Sequence, residues 1–275
     1  MIQGTSSGAG KTTLVAALCR IFSNAGYRVA PFKSQNMSNF SYKGKNFEIS
    51  RAQAIQAVAA RAEITPDMNP ILLKPRGNYW SSVFLRGKYY KRLQANEYYK
   101  KFVLSKGLEL VSKSLHTLQK KYDLVILEGA GSPAEINLEK FDIANMGIAE
   151  KTNIPVILIT DIERGGSFAS IVGTLELLDK KHRKLVKGFV FNKFRGDFTI
   201  LKPGFKKIKQ NTGKPVFGTI PMAKFSLPEE DSLGVKPKEM VWNKRNLKKI
   251  DLEIDKLSKL VKLNLNIKAI ERLFK

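Results

Sequence analysis

The chain opens Met1-Ile-Gln-Gly-Thr-Ser-Ser-Gly-Ala-Gly-Lys-Thr-Thr13. A short apolar start, a glycine-rich turn and Lys-Thr heading an amphipathic run read as strand, phosphate loop and helix. Gly4, Gly8 and Gly10 permit backbone conformations that a Cβ resists. The loop can then turn its N–H groups towards phosphate oxygens at a helix N-terminus. Lys11 is placed to reach the β/γ-phosphates and Thr12 to offer its hydroxyl to Mg2+, with Thr13 beside them in the same turn. The spacing is G-x5-G-K-T, one residue longer than the usual pattern, and Thr5 stands where the first Gly is expected. The alternative is an ordinary Gly/Ser turn before a helix. Lys-Thr directly after the last Gly favours nucleoside triphosphate binding.

Outward from this loop, strand and helix patterns alternate. Helices are expected over residues 12–24, 50–62, 97–120 and 167–178, the second opened by the capping-box string Ser50-Arg-Ala-Gln53. Apolar strands are expected over 27–32, 123–127, 154–160, 186–191 and 215–220, and residues 71–73 and 83–85 can pair as short strands. The order predicts an α/β fold with a doubly wound, mostly parallel sheet. Ligands in such sheets bind beyond the carboxyl ends of the strands. After about Gly234 the chain becomes Lys-rich, and residues 257–267 fit helix and strand spacing equally. The expected organisation is a nucleotide-binding domain over 1–234 and a basic appendage over 235–275.

The 275 residues are 43% hydrophobic, which suits one large domain plus an appendage. No apolar run approaches the roughly 18 residues of a membrane span, and the phosphate loop at the start leaves no room for a signal peptide. The single Cys19 is expected as a buried core residue, with no disulfide framework. A cytoplasmic location follows as an expectation. Net charge is +24, from 48 Lys+Arg against 24 Asp+Glu. That balance favours anionic partners, but the basic residues are scattered over the chain and no nucleic-acid motif is visible.

The loops after the strands hold the candidate chemistry. Glu128 ends a strand and precedes Gly-Ala-Gly, which suits a Mg2+ ligand beside a phosphate or a structural carboxylate. Glu135 and Asn137 follow, as substrate contacts or as loop-shaping residues. Lys33, at the mouth after the 27–32 strand, can hold a negative substrate group or the transferring phosphoryl, with Gln35 and Asn36 as neighbours. Asp161 can bind metal or orient an attacking group, and Arg164 can pair with a carboxylate or phosphate. Asn192, at another strand end, can read the adenine edge. His116 and His182 suggest neither a metal site nor a base.

These segments resemble the ATP-binding synthetase domain of the cobyric acid synthases, in the dethiobiotin synthetase-like superfamily. The likeness is carried by residues 3–12, 31–37, 48–53, 67–75, 127–138, 142–149, 161–178, 187–197 and 227–233, in order. The strings Glu128-Gly-Ala-Gly-Ser-Pro-Ala-Glu-Ile-Asn-Leu138 and Asp161-Ile-Glu-Arg-Gly-Gly166 distinguish it from other ligases of the superfamily. The resemblance implies a P-loop NTPase-like fold and an ATP- and Mg2+-dependent amidation of peripheral carboxylates of a cobyrinic acid a,c-diamide. The substrate carboxylate would attack the γ-phosphate, and ammonia would displace phosphate from the acyl phosphate. Lys11 would neutralise phosphoryl charge, Thr12 and Glu128 would hold Mg2+, Lys33 would steer the substrate carboxylate, and Asn192 would sit by the adenine. Glu48 supplies a further metal carboxylate or is a solvated residue before a helix.

Two departures from the family pattern stand out. Its members usually continue into a glutaminase domain with a Cys nucleophile and a His partner, absent from residues 1–275. Cys19 lies in the phosphate-loop helix, so ammonia is expected from solution or a separate glutaminase subunit, or the chain is a fragment. The basic tail is then a linker or docking element. Met1–Gln3 is also short for a central strand, so either the true start lies upstream or the strand is clipped. Competing readings are another ligase of the superfamily, a non-catalytic ATP-binding remnant or switch, and an ATPase acting on nucleic acid.

Overall fold

The computed structural model describes residues 1–228 and 240–275. They form two compact units. The first holds Met1–Leu14, Gly129–Phe225 and Lys259–Lys275; the second holds Val15–Glu128 and Ser226–Ser258.

The first unit is built on four parallel strands in the order Ile2–Gly4, Val156–Asp161, Val186–Phe194, Val216–Pro221. The middle two are buried along most of their length, which explains their nearly unbroken apolar sequences. Val156, Leu158, Phe189 and Phe191 pack with Ile171, Leu175, Leu185 and Ile208 from the covering helices. Asp161 and Asn192 are register partners at the carboxyl ends of their strands. Helix Lys202–Thr212 stops at Gly213, whose φ of 69° places it in the left-handed region.

In the second unit Val29–Phe32 pairs in parallel with Leu124–Leu127. A separate mixed sheet runs Gln35–Met37, Ile71–Pro75, Trp80–Leu85, Lys88–Gln94. The expected pairing of 71–73 with 83–85 is present, as Ile71 with Leu85 and Leu73 with Val83. Ser41–Lys43 and Glu48–Ser50 form a small antiparallel hairpin leading into helix Arg51–Ala59. The helix expected over 97–120 is two geometries in succession. Tyr98–Gly107 takes wider i→i+5 turns before the regular helix Leu108–Lys121. The wide turns bury Tyr98, Phe102 and Val103, with the Tyr98 and Phe102 rings stacked at 5.5 Å.

The ambiguous tail is helical, over Lys244–Asn264 and Ile267–Glu271. Ile250, Ile254, Leu257 and Val261 are buried at helical spacing, whereas Leu263, on which a strand reading depends, is 84% exposed. The tail forms no unit of its own: its described residues are divided between the two units. Arg20, wholly buried, is held by Asp251 and Asp255 of this helix and by the carbonyls of Ala59 and Val58. The expected boundary at 234/235 and residues 229–233 of the 227–233 motif lie outside the described residues. No helix among the described residues is long and apolar enough to cross a membrane.

Candidate functional site

In the first unit the phosphate loop is held from several sides. Gly8 and Gly10 have φ of 71° and 102°, conformations that require glycine. At Gly10 a Cβ would lie 2.0 Å from the Asn192 amide. That amide donates to Ala9 O at 2.9 Å. Lys193 Nζ donates to Gly8 O at 2.8 Å and pairs with Asp161 Oδ2 at 2.7 Å. Asp161 Oδ1 accepts from Glu163 N at 2.9 Å. Thr5, the residue in the irregular position, donates its N–H to Ile159 O and its hydroxyl to Thr160, both at 3.0 Å. The extra residue is thereby tied to the neighbouring strand.

Lys11 is buried and bends back across the loop, its Nζ donating to Ser6 O at 3.0 Å and Gly131 O at 2.8 Å. Gly131 sits in a turn clipped by Asn145, which donates to Ala130 O at 2.6 Å and accepts from Ala130 N at 3.1 Å. Asp142 positions that clip by accepting from the N–H groups of Ala144, Asn145 and Gly147. Thr12 is buried and Thr13 half-buried at the start of helix Lys11–Asn24.

In the second unit Lys33 and Glu128 form a buried ion pair, Nζ to Oε1 at 2.6 Å. The other carboxylate oxygen accepts from Gln56 Nε2 at 2.6 Å, with Gln53 Nε2 at 3.5 Å. Asn36, expected beside substrate, donates instead to Ser50 Oγ at 2.6 Å and Gln53 Oε1 at 3.0 Å. Gln35 accepts from Tyr98 OH at 2.6 Å. Glu48 is bound by Lys74 and Ser41. Burial alone would raise its carboxyl, but the hydrogen bonds from Lys74 and Ser41 and the nearby lysine charges hold it below its ordinary value. Cys19 is fully buried; burial first, then the Glu128 charge, pushes its thiol far above the usual range. Glu135, Asn137 and Arg164 are exposed.

The site residues thus fall into two constellations. Lys11, Thr12, Thr13, Asp161 and Asn192 belong to the first unit, and Lys33, Glu48 and Glu128 to the second. Asn192, expected at the adenine, has its amide nitrogen on the loop backbone. Lys193, Asn145, Gln53, Gln56 and Lys74 were not singled out from sequence. Gln53 is legible from sequence only as a helix cap.

The loop fits a phosphate: two glycines hold it open, and beside Gly8 an added Cβ would meet nothing within 4 Å. Magnesium takes hydroxyl and carboxylate oxygens with phosphate and water, and Thr12 in the first unit and Glu128 in the second are each of such a donor type. Among the described residues no group of three or more His, Cys, Asp or Glu stands together as a closed metal cage.

Residues 1–233 match the family described as the CobQ/CobB/MinD/ParA nucleotide binding domain. The chain belongs to this family. Its fold is the family's α/β, P-loop NTPase-like fold, as the sequence pattern led us to expect. Within it, the chain is 55% identical over 242 residues to a probable cobyric acid synthase of Thermococcus kodakarensis, a match covering 86% of this chain and 49% of that protein. It is 53% identical over 232 residues to a cobyric acid synthase of Caldanaerobacter subterraneus, covering 84% and 45%. The chain therefore spans about half the length of the curated relatives it matches. Among solved structures it is similar to cobyrinic acid a,c-diamide synthase from Mycobacterium smegmatis with bound ADP and magnesium. That likeness has 15% identity and a TM-score of 0.45, over 81% of this chain and 87% of the other.

Proposed function

We propose that the chain carries out the ATP-dependent amidation of peripheral carboxylates of (adenosyl)cobyrinic acid a,c-diamide. The 55% identity to a probable cobyric acid synthase across 86% of the chain carries this reading. The chemistry gives the site its logic. A carboxylate is a poor electrophile until one oxygen becomes a leaving group. Its oxygen takes the γ-phosphoryl group and ADP departs. Ammonia then attacks the acyl carbon, and phosphate leaves with the original oxygen. Catalysis here is mainly positioning and charge neutralisation.

In this reading Lys11 stabilises the transferring phosphoryl group after leaving Gly131 O. Lys33 steers the substrate carboxylate, while Asp161 steadies the loop through Lys193. Gly8, Gly10 and Thr13 shape the phosphate cradle. Thr12 and Glu128 hold magnesium, which when bound neutralises phosphate charge. Glu48 is a further metal carboxylate once released from Lys74. Ammonia comes from a source other than residues 1–275, a separate glutaminase being one. The test is ATP turnover with cobyrinic acid a,c-diamide and ammonium, with product masses followed. Stepwise replacement of hydroxyl by amino groups, coupled to ATP hydrolysis, is the expected result. ATP binding without corrinoid-dependent turnover in folded protein would overturn it.

A further inference from the structure

The geometry points to Gln56 as a positioning residue for the Glu128 carboxylate, with Gln53 and Asn36 setting which way its amide faces. The inference rests on the reading of Glu128 as a magnesium ligand and deepens it. Helix Arg51–Ala59 buries eight of its nine residues, and Gln53 and Gln56 are both wholly inaccessible. An amide buried without partners is costly, and an apolar side chain of similar volume would fill the same space. Two glutamines at such positions are explained by what they bind.

Gln53 stands where a capping box would place it, but it does not serve the cap. The Ser50 N–H that a capping glutamine would bind donates to Asn69 Oδ1 at 3.1 Å. Instead the amides form a directed series. Asn36 Nδ2 donates to Gln53 Oε1 at 3.0 Å, so Gln53 presents its own Nε2 to Gln56 Oε1 at 3.3 Å. With that oxygen occupied, Gln56 presents Nε2 to Glu128 Oε2 at 2.6 Å. Turning either glutamine over would set oxygen against oxygen. Lys33 holds the other carboxylate oxygen at 2.6 Å. The two grips differ in kind. An incoming cation competes with the Lys33 ammonium for charge but not with a neutral amide. Gln56 therefore stays in place and keeps the carboxylate plane while Lys33 gives way.

The test is calorimetric titration of the 275-residue chain with ADP, in EDTA and with magnesium, taking the ratio of the two affinities. Gln56→Met keeps the volume and removes the donor. It should reduce the magnesium-dependent gain about tenfold or more, as loss of an outer-shell partner does, and leave the affinity in EDTA unchanged. Gln53→Met, acting one step back, should reduce the gain less. A purely structural role would lower the thermal midpoint and leave the ratio intact, and that result in folded Gln56→Met overturns the inference. Where Gln56→Met fails to fold, an unchanged ratio in Gln53→Met overturns it equally. Glu128→Gln separates the two levels. A wild-type ratio there removes the metal-ligand reading itself, whereas its loss with a preserved ratio in Gln56→Met removes the positioning role alone.

Discussion

The strand pair Val29–Phe32 and Leu124–Leu127 carries an ion pair at each end, and both pairs span 95 residues of sequence. At the amino ends Arg28 meets Asp123, with side chains 69% and 39% exposed. At the carboxyl ends Lys33 meets Glu128, 10% and 0% exposed. One parallel register produces both, so the difference between them is the solvent. In water the first pair is screened and contributes little beyond tying the Arg28 N–H to Asp123 at 2.9 Å. Away from water, removing either charge of the second pair alone takes an ionic partner from a buried charge, which is costly. The exposed pair is a register clamp, and the buried pair holds a carboxylate ready.

The largest effect should come from Lys33→Met, which removes the buried ammonium paired with Glu128. Chemical denaturation should show a loss of about 3–5 kcal/mol, and a near-wild-type value would break the comparison. Adding Glu128→Leu to that variant should recover part of the loss, since both charges are then gone, but leave Gln56 without its acceptor. No recovery in the double variant would mean the site depends on shape rather than charge. Lys11→Ala should lower corrinoid-dependent turnover on the order of 10²–10³-fold. Unchanged turnover would sink the phosphate-loop role. The smallest effect belongs to Arg28→Ala, with a thermal midpoint close to wild type at neutral pH. Hydrogen bonds from Arg28 hold the Asp123 carboxyl at about 2, against an ordinary 3.8. A depressed carboxyl favours the fold above its unfolded value and stops doing so as pH falls through its folded one. Any difference from wild type should therefore be present above pH 3.8 and vanish on acidification towards about 2. A difference that grows in acid would show the clamp acting through something other than this pair.

The two ends of the strand pair also show where sequence reasoning stopped. Lys33 and Glu128 were each marked by position, as polar residues closing apolar strands. Their partnership was not, because a register joining residues 95 apart leaves no local trace. Glu48 reads from sequence as a metal carboxylate or a solvated residue before a helix, and neither reading shows Lys74, whose hydrogen bond reaches across 26 residues. Gln53 carried a misleading signal. The capping-box spacing is real, yet the Gln53 amide oxygen accepts from Asn36, and the helix-end N–H it would have bound goes to Asn69.

What the sequence determined by itself was whatever rests on contacts between near neighbours. It set the glycine turns of the phosphate loop, the helix that begins at Lys11, the apolar strands and the family they announce. The tertiary structure decided which charges lie out of water and with whom. It chose helix for the tail by burying Ile254, Leu257 and Val261 and leaving Leu263 outside. It also turned Asn192 towards Ala9 O and assembled four segments around one carboxylate. Backbone preference is local and survives in the sequence; burial and pairing belong to the fold, where the cost of an unpaired polar group selects the partner.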